Sequence, residues 1–403
     1  MAAKSDWSEL PKDLLNLISQ QINNEVDLIR FRSICSNWRS SSIPIHHSNI
    51  LPFKFPLLEF PFNIDSINNN TSFCNFSKCS YFLIKPPPQQ QQKTLFRRPW
   101  LIRVIQNSSG KTKLSQFPLP RFDLPSPFQF SLDLNRFSVL HLGTGFIIDF
   151  EKGLIIDFEK GPLPNNYLFP KKVVAVTPRI LAILLYNNHL VLLRSGNERW
   201  TDLLLSIEDI CFFKGRIYAV EVSSKTVTIG PEDLSIRLVA NHVLGGGGNI
   251  KFLVESEGEM LLVDIKESFC FDSYLEGAFD DAFKDALTID VFRLDEKEKE
   301  WVELTSLGDR ILFLGDRCSF SVSASDLSAA KGNCVVFMDD VFEDYMLCEK
   351  GMCVFHFDQG QLSPLSDYPD YLNLFRPPPK WIVKSCTPKT KKSMLSCIER
   401  FLM

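Results

Sequence analysis

The pair Lys214-Gly215 lies between two apolar runs, Ile210-Cys-Phe-Phe and Arg216-Ile-Tyr-Ala-Val-Glu-Val. Glu257-Gly258 does the same between Phe252-Leu-Val-Glu and Met260-Leu-Leu-Val-Asp-Ile, and Lys350-Gly351 between Tyr345-Met-Leu-Cys and Met352-Cys-Val-Phe-His-Phe. A run, a turn closed by glycine and a second run is a hairpin signature, because tight hairpin turns need the positive φ that glycine adopts freely. Ile180 to Leu193 is interrupted by Asn187-Asn188-His189. It is too short for a membrane span and reads as one more hairpin. Hairpins recurring this often from about Tyr81, with little long helical periodicity between them, restrict the chain to an all-β barrel, sandwich or propeller. Some three hundred residues are many for a sandwich, so the expectation is mainly β, a propeller of about six or seven blades.

Composition supports this reading. The chain has 403 residues, 45% hydrophobic and 23% charged, an ordinary globular balance. Its 34 Phe favour strands over helices. A net charge of −4 offers no electrostatic case for nucleic acid as a partner. The 11 cysteines are scattered without a C-x-x-C pair or histidines at zinc spacing. Reduced, buried thiols are expected, with no structural disulfide, no zinc and no cofactor. The first twenty residues carry no signal-like apolar core and no run is long enough for a membrane helix, so the expected location is nucleus and cytoplasm, without a membrane partner. The tail Pro388-Lys-Thr-Lys-Lys392 is a basic solvated end.

One stretch departs from the strand rhythm. In residues 6–39, Pro11 stands at a helix start, where its missing N–H costs nothing. Leu14, Leu15, Ile18 and Ile22 follow at helical spacing. After Asn23-Asn24, Val26, Leu28, Ile29, Phe31 and Ile34 form a second apolar set, which Cys35 and Trp38 carry into a third short turn. Three such helices bury too little surface to stand alone, so the remaining chain or a partner must cover them.

Leu10-Pro11, Asp13-Leu14-Leu15, Ile18, Asp27-Leu28, Phe31-Arg32, Ile34-Cys35 and Trp38-Arg39 resemble an F-box. The resemblance implies docking on the Skp-type adaptor of a Skp–cullin–F-box ubiquitin ligase through Leu10, Pro11, Leu14, Ile18, Leu28, Phe31, Ile34 and Trp38. A second string lies towards the C-terminus: Val291-Phe-Arg-Leu-Asp295, Trp301-Val-Glu-Leu304, Ser306-Leu-Gly-Asp-Arg310, Leu312-Phe-Leu-Gly-Asp316, Cys318-Ser-Phe-Ser-Val322, and Pro377-Pro-Pro379 before Trp381-Ile382. It resembles the plant F-box family whose C-terminal domain is a KIB-type β-propeller. The implied division is a three-helix F-box at 5–45, a linker and lead-in at 46–80, the propeller at 81–386 and a basic tail at 387–403. Some members of that family are linked to degradation of shaggy-like kinases, which makes such a kinase one expectation for the target.

Other features have plainer readings. Asn68-Asn-Asn70 and Pro86-Pro-Pro88 with Gln89 to Gln92 read as solvent loops. Gly245 to Gly248 reads as a flexible loop without the strand-to-helix setting of a phosphate cradle. Glu276 to Leu287 reads as a short amphipathic helix between strands. Ile147-Ile-Asp-Phe-Glu-Lys-Gly153 recurs as Ile155 to Gly161, far too short to be a blade repeat. A propeller glycosidase needs two facing carboxylates. Asp149, Asp157, Asp264, Asp290, Asp339 and Asp340 are present, but no pattern pairs them, and no G-x-S-x-G elbow exists. The expected function is therefore non-catalytic: a substrate receptor whose helices hold the adaptor, and through it cullin, while the propeller binds a target protein. The alternatives are an interaction protein that assembles no active ligase and, third, a propeller enzyme.

Overall fold

The computed structural model describes residues 9–22, 25–42, 54–56, 58–59, 73–86, 98–106, 112–115, 130–131, 137–150, 167–168, 170–177, 180–194, 199–203, 206–243, 247–248, 250–267, 287–327, 331–338, 352–375, 379, 381–382 and 387–388. The second copy of the Ile147 repeat, the Asn and Gln tracts, the 276–286 segment and the tail beyond Pro388 lie outside them.

Five sheets of four or five strands form the body, and each is a blade. Blade 1 reads, from the inside out, Ser138–Phe150, Phe73–Lys85, Trp100–Gln106 and Thr112–Ser115, with Lys54–Pro56 beside the start of Phe73–Lys85. Blade 2 is Pro170–Thr177, Ile180–Leu185, Leu190–Arg194 and Arg199–Asp202. Blade 3 is Ile207–Phe213, Arg216–Glu221, Thr226–Ile229 and Ile236–Ala240. Blade 4 is Ile250–Ser256, Glu259–Glu267, Leu287–Asp295 and Glu300–Glu303. Blade 5 is Phe320–Ser323, Arg310–Leu314, Cys334–Phe337, Cys353–His356 and Gln361–Pro364, with Arg310–Leu314 and Cys334–Phe337 parallel. Each inner strand neighbours the inner strands of the two adjacent blades, so the ring closes.

Among the described residues the six or seven blades expected from hairpin frequency are five. The hairpins at Lys214-Gly215 and Glu257-Gly258 form in register as expected, with positive φ at both residues of each turn. Ile180–Leu185 and Leu190–Arg194 pair likewise. The first strand and turn of the third expected hairpin, Tyr345 to Gly351, lie outside the described residues; its second strand, Cys353–His356, pairs with Cys334–Phe337 on one side and Gln361–Pro364 on the other. Ile147–Phe150, from the first copy of the repeat, ends the inner strand of blade 1 and pairs with Cys74–Ser77. Gly248 has a packing duty beyond flexibility, because a Cβ there would run into the Asp264 carboxylate and the Ile265 carbonyl.

The core lies between blade faces. Ile210, Ile217 and Ile229 pack against Ala182, Leu184 and Leu192 between blades 2 and 3, and Leu312, Val335 and Phe355 against Val254, Leu261 and Val263 between blades 4 and 5. Blades 1 and 5 share Cys79, Tyr81, Leu83, Phe313 and Phe320, with the Phe313 and Phe320 rings stacked at 5.1 Å. Buried polar bonds join the inner strands. Lys172 of blade 2 meets Asp209 of blade 3 at 2.6 Å, and the other oxygen of Asp209 accepts from the Leu253 amide of blade 4 at 2.8 Å. Ser256 and Ser321 link blades 4 and 5 at 2.9 Å.

The inner strands of blades 2 to 5 run the same way, whereas that of blade 1 runs against them. Gly143 faces Phe320 and Gly145 faces Arg317, while Lys85, the partner of Ser138, reaches Asp326 at 2.8 Å. Three N-terminal helices, α1 (Lys12–Gln21), α2 (Glu25–Ser33) and α3 (Ser36–Ser41), sit at the end of the ring where that strand begins. After Ser323 comes the short α4 (Ala324–Leu327), and after blade 5 comes α5 (Pro369–Phe375), which packs on Trp100–Gln106 of blade 1. The chain then brings Trp381 and Ile382 to the helices, and Thr387–Pro388 pairs with Phe130–Ser131.

Candidate docking surface

Two kinds of apolar residue share the helical unit. Leu15, Val26 and Phe31 are buried. Val26 enters a core with Phe82, Ile84, Trp100, Ile102, Phe137 and Ile382, which roots α2 in blade 1. Arg30 adds a bond to the Phe137 carbonyl at 3.2 Å. Phe31 lies against Trp38 with ring centroids 4.5 Å apart. Arg32 donates to the Ser42 carbonyl at 2.9 Å and to its hydroxyl at 2.8 Å, fastening the end of α2 to the end of α3. Burial, and then neighbouring Arg39, lower the pKa of the Arg32 guanidinium. The Asn37 amide holds the Leu10 carbonyl at 3.3 Å.

The other residues face out. Leu14, Leu17 and Ile18 are 48%, 57% and 43% exposed, and their i, i+3, i+4 spacing puts them on one flank of α1. Ile34, after α2, is 56% exposed. Of the eight residues that the F-box resemblance singles out, Pro11, Leu14, Ile18 and Ile34 are thus exposed, Leu10, Leu28 and Trp38 half-buried, and Phe31 turned inward. Leu17 escaped sequence reasoning. With Leu15, Ser19 and Ile22 on the inward side, the opposite flank also carries apolar residues, and spacing alone does not say which flank is covered.

Of the carboxylates weighed for catalysis, Asp264 and Asp290 have lysine partners, and the side chains of Asp149, Asp157, Asp339 and Asp340 lie outside the described residues. Asp264 and Lys251, both fully buried, meet at 2.6 Å, and Asp290 holds Lys266 at 2.6 Å. Asp264 and Asp290 face each other across adjacent strands, each committed to its own lysine. Burial pushes the thiols of Cys211, Cys318 and Cys334 up to about 12, which keeps them protonated and poorly nucleophilic. Burial pulls the Lys172 ammonium down, but Asp209 beside it outweighs this and leaves its pKa raised. Among the described residues no group of three or more His, Cys, Asp or Glu could hold a metal ion.

Comparison with known proteins bears on both parts of the molecule. The family described as KIB1-4 beta-propeller matches residues 73–356. The F-box protein SKIP23 of Arabidopsis thaliana is 34% identical over 400 residues, covering 94% of this chain and 95% of that protein. F-box protein At2g17036 of the same plant is 34% identical over 403 residues, covering 94% of this chain and 95% of the relative.

Proposed function

Because the chain belongs to the KIB1-4 β-propeller family and is similar along nearly its whole length to plant F-box proteins, we propose that it is the substrate receptor of a Skp–cullin–F-box ubiquitin ligase. The helices hold the Skp-type adaptor and the ring holds a target protein. The observation that carries this reading is the flank Leu14, Leu17 and Ile18 with Ile34, exposed on a unit whose buried apolar residues, Leu15, Val26 and Phe31, serve its own core and blade 1. Apolar flanks of this kind anchor protein interfaces, where a few central side chains dominate the energy.

The chemistry asked of the protein is proximity. Two binding surfaces on one body raise the effective concentration of target lysines near the ubiquitin-charged enzyme that cullin recruits. The shared core around Val26 fixes the helices to blade 1, so the two surfaces keep one mutual geometry. Nucleus and cytoplasm are the compartments in which such a ligase works, and imaging of the tagged protein tests that placement.

The experiment is adaptor affinity measured on the full chain. Replacing Leu14, Leu17 and Ile18 together by Ala is expected to weaken adaptor binding by roughly tenfold to a thousandfold, about 1.4–4 kcal/mol, while the melting temperature holds. Leu10→Ala with Pro11→Ala is expected to act in the same direction. Unchanged affinity in both variants would refute the reading. Adaptor binding without co-purifying cullin would favour an interaction protein that assembles no ligase.

A further inference from the structure

The outermost strand of a blade presents unpaired backbone groups, and proteins blunt such edges with charge, proline or a buried anchor. Blade 4 follows that practice: Glu300–Glu303 buries Trp301, with exposed carboxylates on both sides. So does blade 5, where Gln361–Pro364 buries Leu362 and ends on a residue with no N–H. Blade 3 does not. Its outer strand exposes Ile236, Arg237 and Leu238 in succession, with Ile236 at 49% and Leu238 at 36%.

The hydrogen-bond register shows what this edge offers. The Gly230 amide donates to the Ser235 carbonyl at 2.9 Å. In an antiparallel ladder bonded and non-bonded pairs alternate. Thr228 and Arg237 therefore form the bonded pair, and Ile236, opposite Ile229, turns its N–H and C=O outward. Leu238, opposite Val227, does the same. Ile236 and Leu238 point their side chains to one face and Arg237 to the other.

The turn before the strand is held firmly. Arg194 of blade 2 donates to the Pro231 and Glu232 carbonyls at 3.0 and 2.8 Å, and Arg216 to the Ser235 carbonyl at 2.9 Å and hydroxyl at 3.1 Å. Asp233 accepts from the Ser235 amide at 3.1 Å. A Cβ on Gly230 would collide with Asp233, so glycine is required there. The strand is fixed before anything binds, which lowers the ordering cost of binding. Among the described residues neither Arg194, Arg216 nor Arg237 has a carboxylate ion-pair partner. Arg194 and Arg216 are spent on the turn and Arg216 lies near Asp233, so the cation offered along the exposed part of the strand is Arg237.

We propose that the outer edge of blade 3, Ile236 to Val239, takes an extended acidic segment of a protein partner by strand addition. The segment has apolar residues on the Ile236–Leu238 face and carboxylates beside Arg237. Main-chain bonds supply affinity, and alternate side chains supply selectivity. Only the identification of that partner with the ubiquitination target rests on the receptor reading; the edge stands on its own geometry.

The test uses the full chain and a synthetic acetylated peptide of alternating valine and glutamate, with its valine–lysine counterpart as control. Amide hydrogen exchange at Ile236 and Leu238 is the readout. The glutamate peptide is expected to slow exchange there at least tenfold at saturation, the lysine peptide to have little effect, and Leu238→Lys to weaken glutamate-peptide binding at least fivefold with the melting temperature unchanged. No slowing at millimolar peptide, or equal slowing by both peptides, overturns the proposal. So does protection without peptide that rises with protein concentration and tracks a dimer mass, since the occupant is then a second copy. Adaptor affinity, measured separately, fails or holds independently of all these outcomes.

Discussion

Asp209 illustrates how a single side chain serves three blades. One oxygen neutralises buried Lys172 and the other covers the Leu253 amide. Removing one partner of a buried pair strands the other charge, and the cost is typically about 3–5 kcal/mol. Asp209→Ala is therefore expected to lower unfolding free energy by that amount in urea titration, and Asp209→Ala with Lys172→Met to recover a large part of it. His356 gives a pH signature. It lies between Tyr368 and Tyr371 with ring centroids at 4.7 and 5.8 Å, and its buried Nε2 has no hydrogen-bond partner among the described residues. Burial lowers its pKa below the ordinary 6.5, aided by Lys331 and opposed by Asp358. The unfolded chain thus takes up a proton before the folded one. The stability involved is present above pH 6.5 and is lost as pH falls from there through the folded value. His356→Phe is expected to flatten that part of the stability–pH curve, measured by denaturant unfolding between neutral pH and pH 5.

At the scale of elements, the helices and blade 1 depend on each other. Sequence reasoning divides the chain near residue 45, between the F-box and the lead-in to the propeller. The core around Val26 and Trp100 crosses that division. Burying a side chain of Val26's size is worth about 1.5–3 kcal/mol, and deleting 1–42 would also uncover Phe82, Ile84, Ile102 and Phe137. The truncated protein is expected to unfold in one cooperative transition, because the ring keeps its other interfaces, but at a lower temperature than the full chain. Calorimetry of the two proteins checks this, and equal melting temperatures would show that the shared core contributes nothing. Hairpins were the most legible elements. A glycine turn between apolar runs is a local signal, and it placed the Lys214 and Glu257 turns correctly. At Lys350-Gly351 the turn lies outside the described residues, and the strand after it, Cys353–His356, pairs with Cys334–Phe337 and Gln361–Pro364.

For the whole molecule, the seam between blades 1 and 5 decides whether a ring exists. The inner strand of blade 1 reaches blade 5 through glycines. A Cβ at Gly143 would stand 2.7 Å from the Cys318 sulfur, and one at Gly145 would overlap the Arg317 carbonyl. The C-terminal chain fastens the same seam from outside: Arg98 donates to the Asn373 carbonyl, and the Trp381 indole to the Arg98 carbonyl at 3.0 Å. Overpacking a close contact costs typically about 1–3 kcal/mol. Gly143→Val and Gly145→Val are each expected to destabilise by at least that much, with Gly145 worse because backbone yields less than a side chain. Urea midpoints compared with that of Gly247→Val, where a Cβ would meet open space, separate the seam from general glycine effects.

Turn chemistry and apolar runs are local properties, so sequence alone determined that the chain is mainly β, that its sheets are built of hairpins and that a short helical unit precedes them. The F-box pattern also named residues that the structure sorts into a buried set and an exposed set. Blade count, the reversed inner strand of blade 1, the exposure of Leu17 and the open edge at Ile236 were decided only by tertiary structure. Each depends on which distant segment lies alongside. The same apolar side chain is core when a neighbouring blade covers it, as at Val26, and surface when none does, as at Leu17 and Ile236.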